Sequence, residues 1–253
     1  MTEYLLFENF IIIISAVFIG GIVKGSVGIG MSMFSVPIIA FLFPPTKAMM
    51  LLCFPVIFTN FLQMDIKKGI GTFRFLPMFL ALFLGLLIGG KLILNLSFSF
   101  ISIAISIVII FFTSLNFFGI NLKNLKKTNE KIASIFIGFF SGILGGLTTF
   151  YAPPIITFLI SINIEKELFI RTTATMYFFA SIPLYSSMIF HGLGDYHDLI
   201  MSLGLTLPAI FGQFLGAKIR TKLSNQIFQK LILLILIIIG FSLLIKNLIK
   251  LFI

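Results

Sequence analysis

The stretch Gly21-Ile-Val-Lys24-Gly25-Ser-Val-Gly28-Ile-Gly30, followed by Pro37, returns in the second half as Gly138-Phe-Phe-Ser141-Gly142-Ile-Leu-Gly145-Gly146-Leu, followed by Pro154. The offset stays at 117 residues from Gly21/Gly138 through Leu42/Leu159, with Gly25/Gly142, Gly28/Gly145, Pro37/Pro154, Ile38/Ile155 and Phe41/Phe158 identical. Each copy interrupts an apolar run that would otherwise read as membrane-spanning. Paired Gly/Pro interruptions at matching places in two halves point to the central site of a transporter.

Composition sets the solvent. Of 253 residues, 59% are hydrophobic and 10% charged, with a mean hydropathy of +1.17. Soluble domains carry about a quarter charged residues, so a soluble globule is excluded. Runs such as Phe10–Val23, Phe75–Gly90, Ile101–Phe118 and Leu231–Leu244 are long enough to cross or nearly cross ~30 Å of hydrocarbon. The apolar segments fall at about 9–29, 31–43, 46–64, 72–91, 97–118, 131–146, 148–162, 167–190, 199–219 and 226–246. They predict an all-α polytopic membrane protein with 8–10 membrane segments. Glu3 and Glu8 precede the first run where a signal peptide would be basic, so no cleavable signal is expected. Cys53, the one cysteine, lies in an apolar segment and reads as a small hydrophobe.

The net charge of +10 does not indicate nucleic acid, because the basic residues sit in short connections. Lys67, Lys68 and Arg74 form one group; Lys123, Lys126, Lys127 and Lys131 a second; Lys218, Arg220, Lys222 and Lys230 a third. Such loops stay cytoplasmic, whereas His191–Asp198 is acidic and belongs on the other side. Segments 46–64 and 199–219 then run inward, 72–91 and 167–190 outward, and both termini lie outside. Lys246 and Lys250 run against this orientation; three concordant loops outweigh them. The expected organisation is a first repeat over 1–120, a cytoplasmic linker over 121–131, and a second repeat of inverted topology over 132–253.

A second internal match, Gly85-Leu-Leu-Ile-Gly89-Gly-Lys91 with Gly212-Gln-Phe-Leu-Gly216-Ala-Lys218, is offset by 127 residues. Its G-x-x-x-G spacing reads first as close helix packing through small residues. Segments 31–43 and 148–162 are short, about 20 Å as helix, so each half is expected to begin with a broken helical hairpin shielded by protein, or with two short tilted spans. Returning helices starting near Met31 and Thr148 would present unpaired N–H groups suited to anions. Lys24 adds a full charge beside the first tip, and an ionisable group inside a membrane segment is a functional signal by default. Its bland alternative is a side chain that snorkels to the interface.

The Gly-rich first segment with Pro37, its counterpart ending Tyr-Ala-Pro153-Pro154, and the helix opening Arg171-Thr-Thr-Ala-Thr175 resemble the TauE/SafE sulfite exporter family over nearly the whole chain. That resemblance implies a multi-pass permease of the bacterial inner membrane that exports sulfite or small organosulfonates. The chain differs in placing Met31 after Gly28-Ile-Gly30 and Lys24 where small or apolar residues are frequent. Carried over, the site comprises Lys24, Gly25, Gly28 and Gly30 from one half, with Gly142, Gly145, Gly146, Thr148 and Thr149 from the other. Thr59, Asn60, Thr172, Thr173 and Thr175 would complete the shell with donors suited to an oxyanion. For any one threonine, bonding back to its own helix is the plainer role. Arg171 reads as a membrane-edge anchor, with gating or substrate entry as the alternative.

No cofactor and no metal are expected, and the partners are a small anion and the lipid bilayer. Asp and Glu lie at the ends of apolar runs or in loops, so export driven by the membrane potential is expected over ion-coupled uptake. Two rivals remain open. One is a channel-like anion pore. The other is an intramembrane aspartyl protease built on the Gly192-Leu-Gly194-Asp195 string, which would need a second carboxylate such as Asp65 in the same site.

Overall fold

Phe7–Val27 forms α1, and Gly28 ends it. The Gly28 amide still closes on the Lys24 carbonyl at 2.7 Å, but Gly28 and Gly30 take φ of 87° and 100°. Those left-handed values suit residues without a Cβ. Gly30 is the N-cap of α2 (Met31–Ile39). The chain is seen in a computed structural model that describes residues 7–40, 42–64, 73–92, 127–222 and 224–252, with isolated positions between 103 and 114. The expected segment 97–118 therefore lies largely outside the described residues, as do Asp65, Lys67, Lys68, Lys123 and Lys126.

Segment 46–64 divides into α3 (Pro45–Met50) and α4 (Cys53–Gln63), with a turn at Leu51 and Leu52, and still reads as one apolar span over Thr46–Gln63. A 3₁₀ turn, Phe73–Phe75, leads into α5 (Leu76–Leu92). Then follow α6 (Lys127–Thr148), α7 (Ala152–Ser161), α8 (Lys166–Phe190), α9 (Tyr196–Arg220) and α10 (Asn225–Phe252). The described residues contain no strand. Among the described residues, four stretches are long and apolar enough to cross a membrane: Asn9–Val27, Thr46–Gln63, Asn129–Leu147 and Tyr196–Arg220.

The second break corrects the sequence expectation. Gly145 and Gly146 remain helical, Thr148 ends α6 rather than starting the return, and α7 begins at Ala152. Pro153 and Pro154 explain the position. They lack the N–H that a continuing helix would need, yet fit the first turn of a new one. Thr149 takes the left-handed conformation instead, with φ 64°. At about 1.5 Å per residue, α2 and α7 reach only ~14–15 Å, and Pro153 through Ser161 are all buried.

The helices gather into two compact units. One contains Met1–Lys67 and Thr173–Leu223. Within it α1 packs along α9, α2 against α1, and α4 against α9. The other contains Lys68–Thr172 and Ser224–Ile253, with α5 packed along α6 and α7 against α6. Each unit thus joins a broken hairpin from one half of the chain to the Gly-x-x-x-Gly helix of the other half. Small residues make both seams. A Cβ on Gly21 or Gly25 would strike the carbonyls of Ala209 and Gln213, and one on Gly212 or Gly216 those of Phe18 and Ile22. In the second unit Gly85 and Gly89 meet the Phe139 and Ile143 carbonyls, while Gly138 and Gly142 meet those of Met78 and Leu82. Both pairs run parallel, since residue numbers rise together along each contact.

Helix α9 shows the polarity expected in lipid. It buries Ser202, Thr206, Gly212, Gln213 and Gly216, and exposes Leu203, Leu207, Phe211 and Phe214. Polar groups face the protein and apolar groups face out, the arrangement an apolar solvent imposes.

Candidate functional site: a buried lysine among amides

In the first unit, α1, α4 and α9 converge at Lys24, which is 3% exposed. The tight α1–α9 approach at Gly25 brings Gln213 alongside. Helix α4 supplies Thr59, Asn60 and Gln63 from one face and its next turn. Lys24 Nζ donates to Asn60 Oδ1. Asn60 is 2% exposed, and among the described residues no carboxylate lies within ion-pair distance of Lys24. Gln63 Nε2 donates to the Lys24 carbonyl at 3.2 Å, Gln213 Nε2 to the Thr59 carbonyl at 2.9 Å, and Arg220 Nη1 to the Gly25 carbonyl at 3.4 Å. An ammonium has three protons; Asn60 takes one. Among the described residues, the seam is therefore a buried lysine held by neutral amides, with donor capacity to spare.

A family model described as Sulfite exporter TauE/SafE matches residues 13–243. The chain belongs to this family. Membership makes it a membrane transporter, in keeping with its apolar helices and inverted surface polarity. No curated protein and no solved structure matches the chain.

The residues nominated for the TauE/SafE site fall in both units. Lys24, Gly25, Gly28, Gly30, Thr59 and Asn60 lie in the first, with Thr173 and Thr175 of α8; Gly142, Gly145, Gly146, Thr148, Thr149, Arg171 and Thr172 lie in the second. The faces of Gly25, Gly142 and Gly146 are occupied by the backbone of the neighbouring helix, and Gly145 faces the Tyr151 ring. Thr59 bonds back to the Pro55 carbonyl in its own helix. Arg171 is half-buried near the start of α8. In the second unit the hydroxyls of Ser141, Thr149 and Thr172 are buried with no hydrogen-bond partner among the described residues.

Gln63 and Gln213 were not among the nominated residues. Their signal was present: an amide side chain inside an apolar segment must find a partner there. In Gln213 it was masked by the Gly212/Gly216 packing motif that flanks it. Asp195 has a structural task. Its Oδ1 accepts from the Asp198 amide at 2.8 Å while its own amide donates to Asp198 Oδ2 at 3.2 Å, a capping box at the start of α9. The backbone bond from Asp198 holds its carboxyl below the usual carboxylate value.

Proposed function

We propose that this chain exports a small oxyanion, sulfite or an organosulfonate, across the bacterial inner membrane, and that Lys24 is the charge that receives it. One observation carries this reading: a buried lysine whose side chain, among the described residues, has only a neutral hydrogen-bond partner. Burying an unpaired charge in a membrane segment costs several kcal/mol, and a bound anion offsets that cost while it is present. Glycines at the first break allow a ligand close to backbone N–H groups. The second break, in the other unit, is a separate candidate for anion contact through the buried Thr149 hydroxyl, which has no hydrogen-bond partner among the described residues. Outward movement of an anion across an inside-negative membrane is favourable by ~2.3 kcal/mol per charge per 100 mV, so no coupling ion is required.

The topology we propose has two inverted repeats, basic loops in the cytoplasm and both termini in the periplasm. It is supported by the parallel packing of α1 with α9 and of α5 with α6, because the charge pattern assigns a common direction within each pair. The protease alternative is disfavoured because it needs the Asp195 carboxyl for chemistry, whereas that group caps α9 by accepting from the Asp198 amide.

Flux of labelled sulfite and short sulfonates into proteoliposomes tests the proposal. Saturable transport that falls at least about tenfold in Lys24→Ala and in Gly28→Leu is expected. Unchanged flux in both variants, or linear flux without saturation, would overturn it, the latter in favour of a channel-like pore.

A further inference from the structure

The seam around Lys24 holds two acceptors that a bare anion leaves unanswered. Gln63 and Gln213 each donate from Nε2 to a backbone carbonyl, of Lys24 and of Thr59 respectively. A carbonyl accepts only from a donor, so these bonds fix which end of each amide is nitrogen and which is oxygen. Both Oε1 atoms are buried and have no hydrogen-bond partner among the described residues. Gln213 is 6% exposed, and its backbone carbonyl abuts Gly25, next to Lys24. Gln63 follows Thr59 and Asn60 by one turn of α4 and reaches the backbone of Lys24 itself. The spare protons of the ammonium and the spare lone pairs of the two amides therefore belong to one α1–α4–α9 seam. A buried acceptor left unpaired is costly, and a fully deprotonated oxyanion, itself all acceptor, cannot relieve it.

Resting on the reading of this seam as an anion site, we infer that its substrate is a monoanion with a hydrogen-bond donor of its own, an O–H or N–H group. The charged oxygens take Lys24, and the donor is received by Oε1 of Gln63 and Gln213. Protonated oxyanions and hydroxylated or aminated sulfonates meet this description; dianions and plain alkylsulfonates do not. Gln63 and Gln213 are then the residues that set specificity, while Lys24 sets charge.

The test uses two monoanions of nearly equal size, 2-hydroxyethanesulfonate and propanesulfonate, titrated calorimetrically into the purified full chain in detergent. The hydroxylated anion is expected to bind about tenfold more tightly, the worth of one hydrogen bond to a buried acceptor. That ratio should shrink toward one in Gln213→Met and in Gln63→Met, whereas Lys24→Met should weaken both anions alike. Equal, Lys24-dependent binding to the wild type would overturn the inference and leave the anion reading standing, with water satisfying the amides. A preference that survives both glutamine substitutions would overturn it as well. Binding of neither anion would remove both. If Gln213→Met fails to fold, the wild-type ratio and Gln63→Met still decide.

Discussion

The breaks after α1 and after α6 open alike and then part company. In each, the first residue beyond the helix closes a 2.7 Å bond four residues back, Gly28 to Lys24 and Thr149 to Gly145, and then turns left-handed. The first break uses glycine for that turn; the second forces a β-branched residue into it. The first has a buried lysine one turn upstream, where the second has a glycine, and the aligned position Ser141 is a buried hydroxyl. The two breaks therefore share a backbone turn but differ in chemistry, with a lysine beside the first and a neutral hydroxyl at the aligned position of the second.

The sharpest way to break this contrast is charge. Lys24→Met should lower transport by about a hundredfold or more, equivalent to ~2.7 kcal/mol, whereas Ser141→Ala should leave it within about twofold because an orphan hydroxyl contributes little. Proteoliposome flux measures both, and equal losses would mean that the halves share the task. Thermal unfolding of Lys24→Met should show stability held or raised, since an unpaired buried charge is removed.

The seams should behave alike where the tips differ. Gly25→Val and Gly142→Val each drive a side chain into a facing carbonyl and should cost about 3 kcal/mol, seen as loss of monodisperse protein in detergent. A marked difference between them would show that one unit tolerates separation of its helices.

Backbone substitutions sharpen the comparison at the tips themselves. Gly28→Ala should destabilise by about 1–2 kcal/mol, because alanine resists positive φ. Thr149→Gly should have the opposite sign, gaining up to about 1 kcal/mol as strain is relieved. Thermal melts that move in the same direction for both would refute the equivalence of these two positions.

The smallest effect is expected at the start of α9. Asp195 has a depressed carboxyl, so its cap stabilises the fold above the ordinary value of 3.8 and that contribution is lost as pH falls through the depressed one. Melting temperatures of wild type and Asp195→Ala should differ slightly at neutral pH and converge in acid; a gap that persists below that window would mean the cap does not depend on charge.

Much of this was legible in the residues. The Gly28-Ile-Gly30 break follows from local chemistry, because glycines beside each other in an apolar run both end a helix and permit positive φ. Lys24 stood out because charge is rare in such a run. The second break was misplaced because Gly145-Gly146 looks like a stop. Held against α5 by Gly142 and Gly146, those residues stay helical and the helix runs on to Thr148, while Pro153 and Pro154 place the new start at Ala152. The role of Gly25, Gly142 and Gly146 also needed neighbours: a small residue reads the same whether a ligand or a helix lies against it.

Sequence alone determined that this is a membrane protein of helices, duplicated in pattern, with a lysine inside an apolar run, because hydropathy, repetition and charge are properties of single residues and their spacing. Tertiary structure alone decided that α1 packs with α9 and α5 with α6, exchanging elements between the two halves. It also decided that Asn60 and Gln63 reach Lys24, with Gln213 beside Gly25 and bonded to Thr59. Asn60 and Gln63 lie 36 and 39 positions from Lys24 along the chain, and Gln213 lies 154 from its partner Thr59; close packing at Gly21 and Gly25 brings the helix that carries Gln213 alongside.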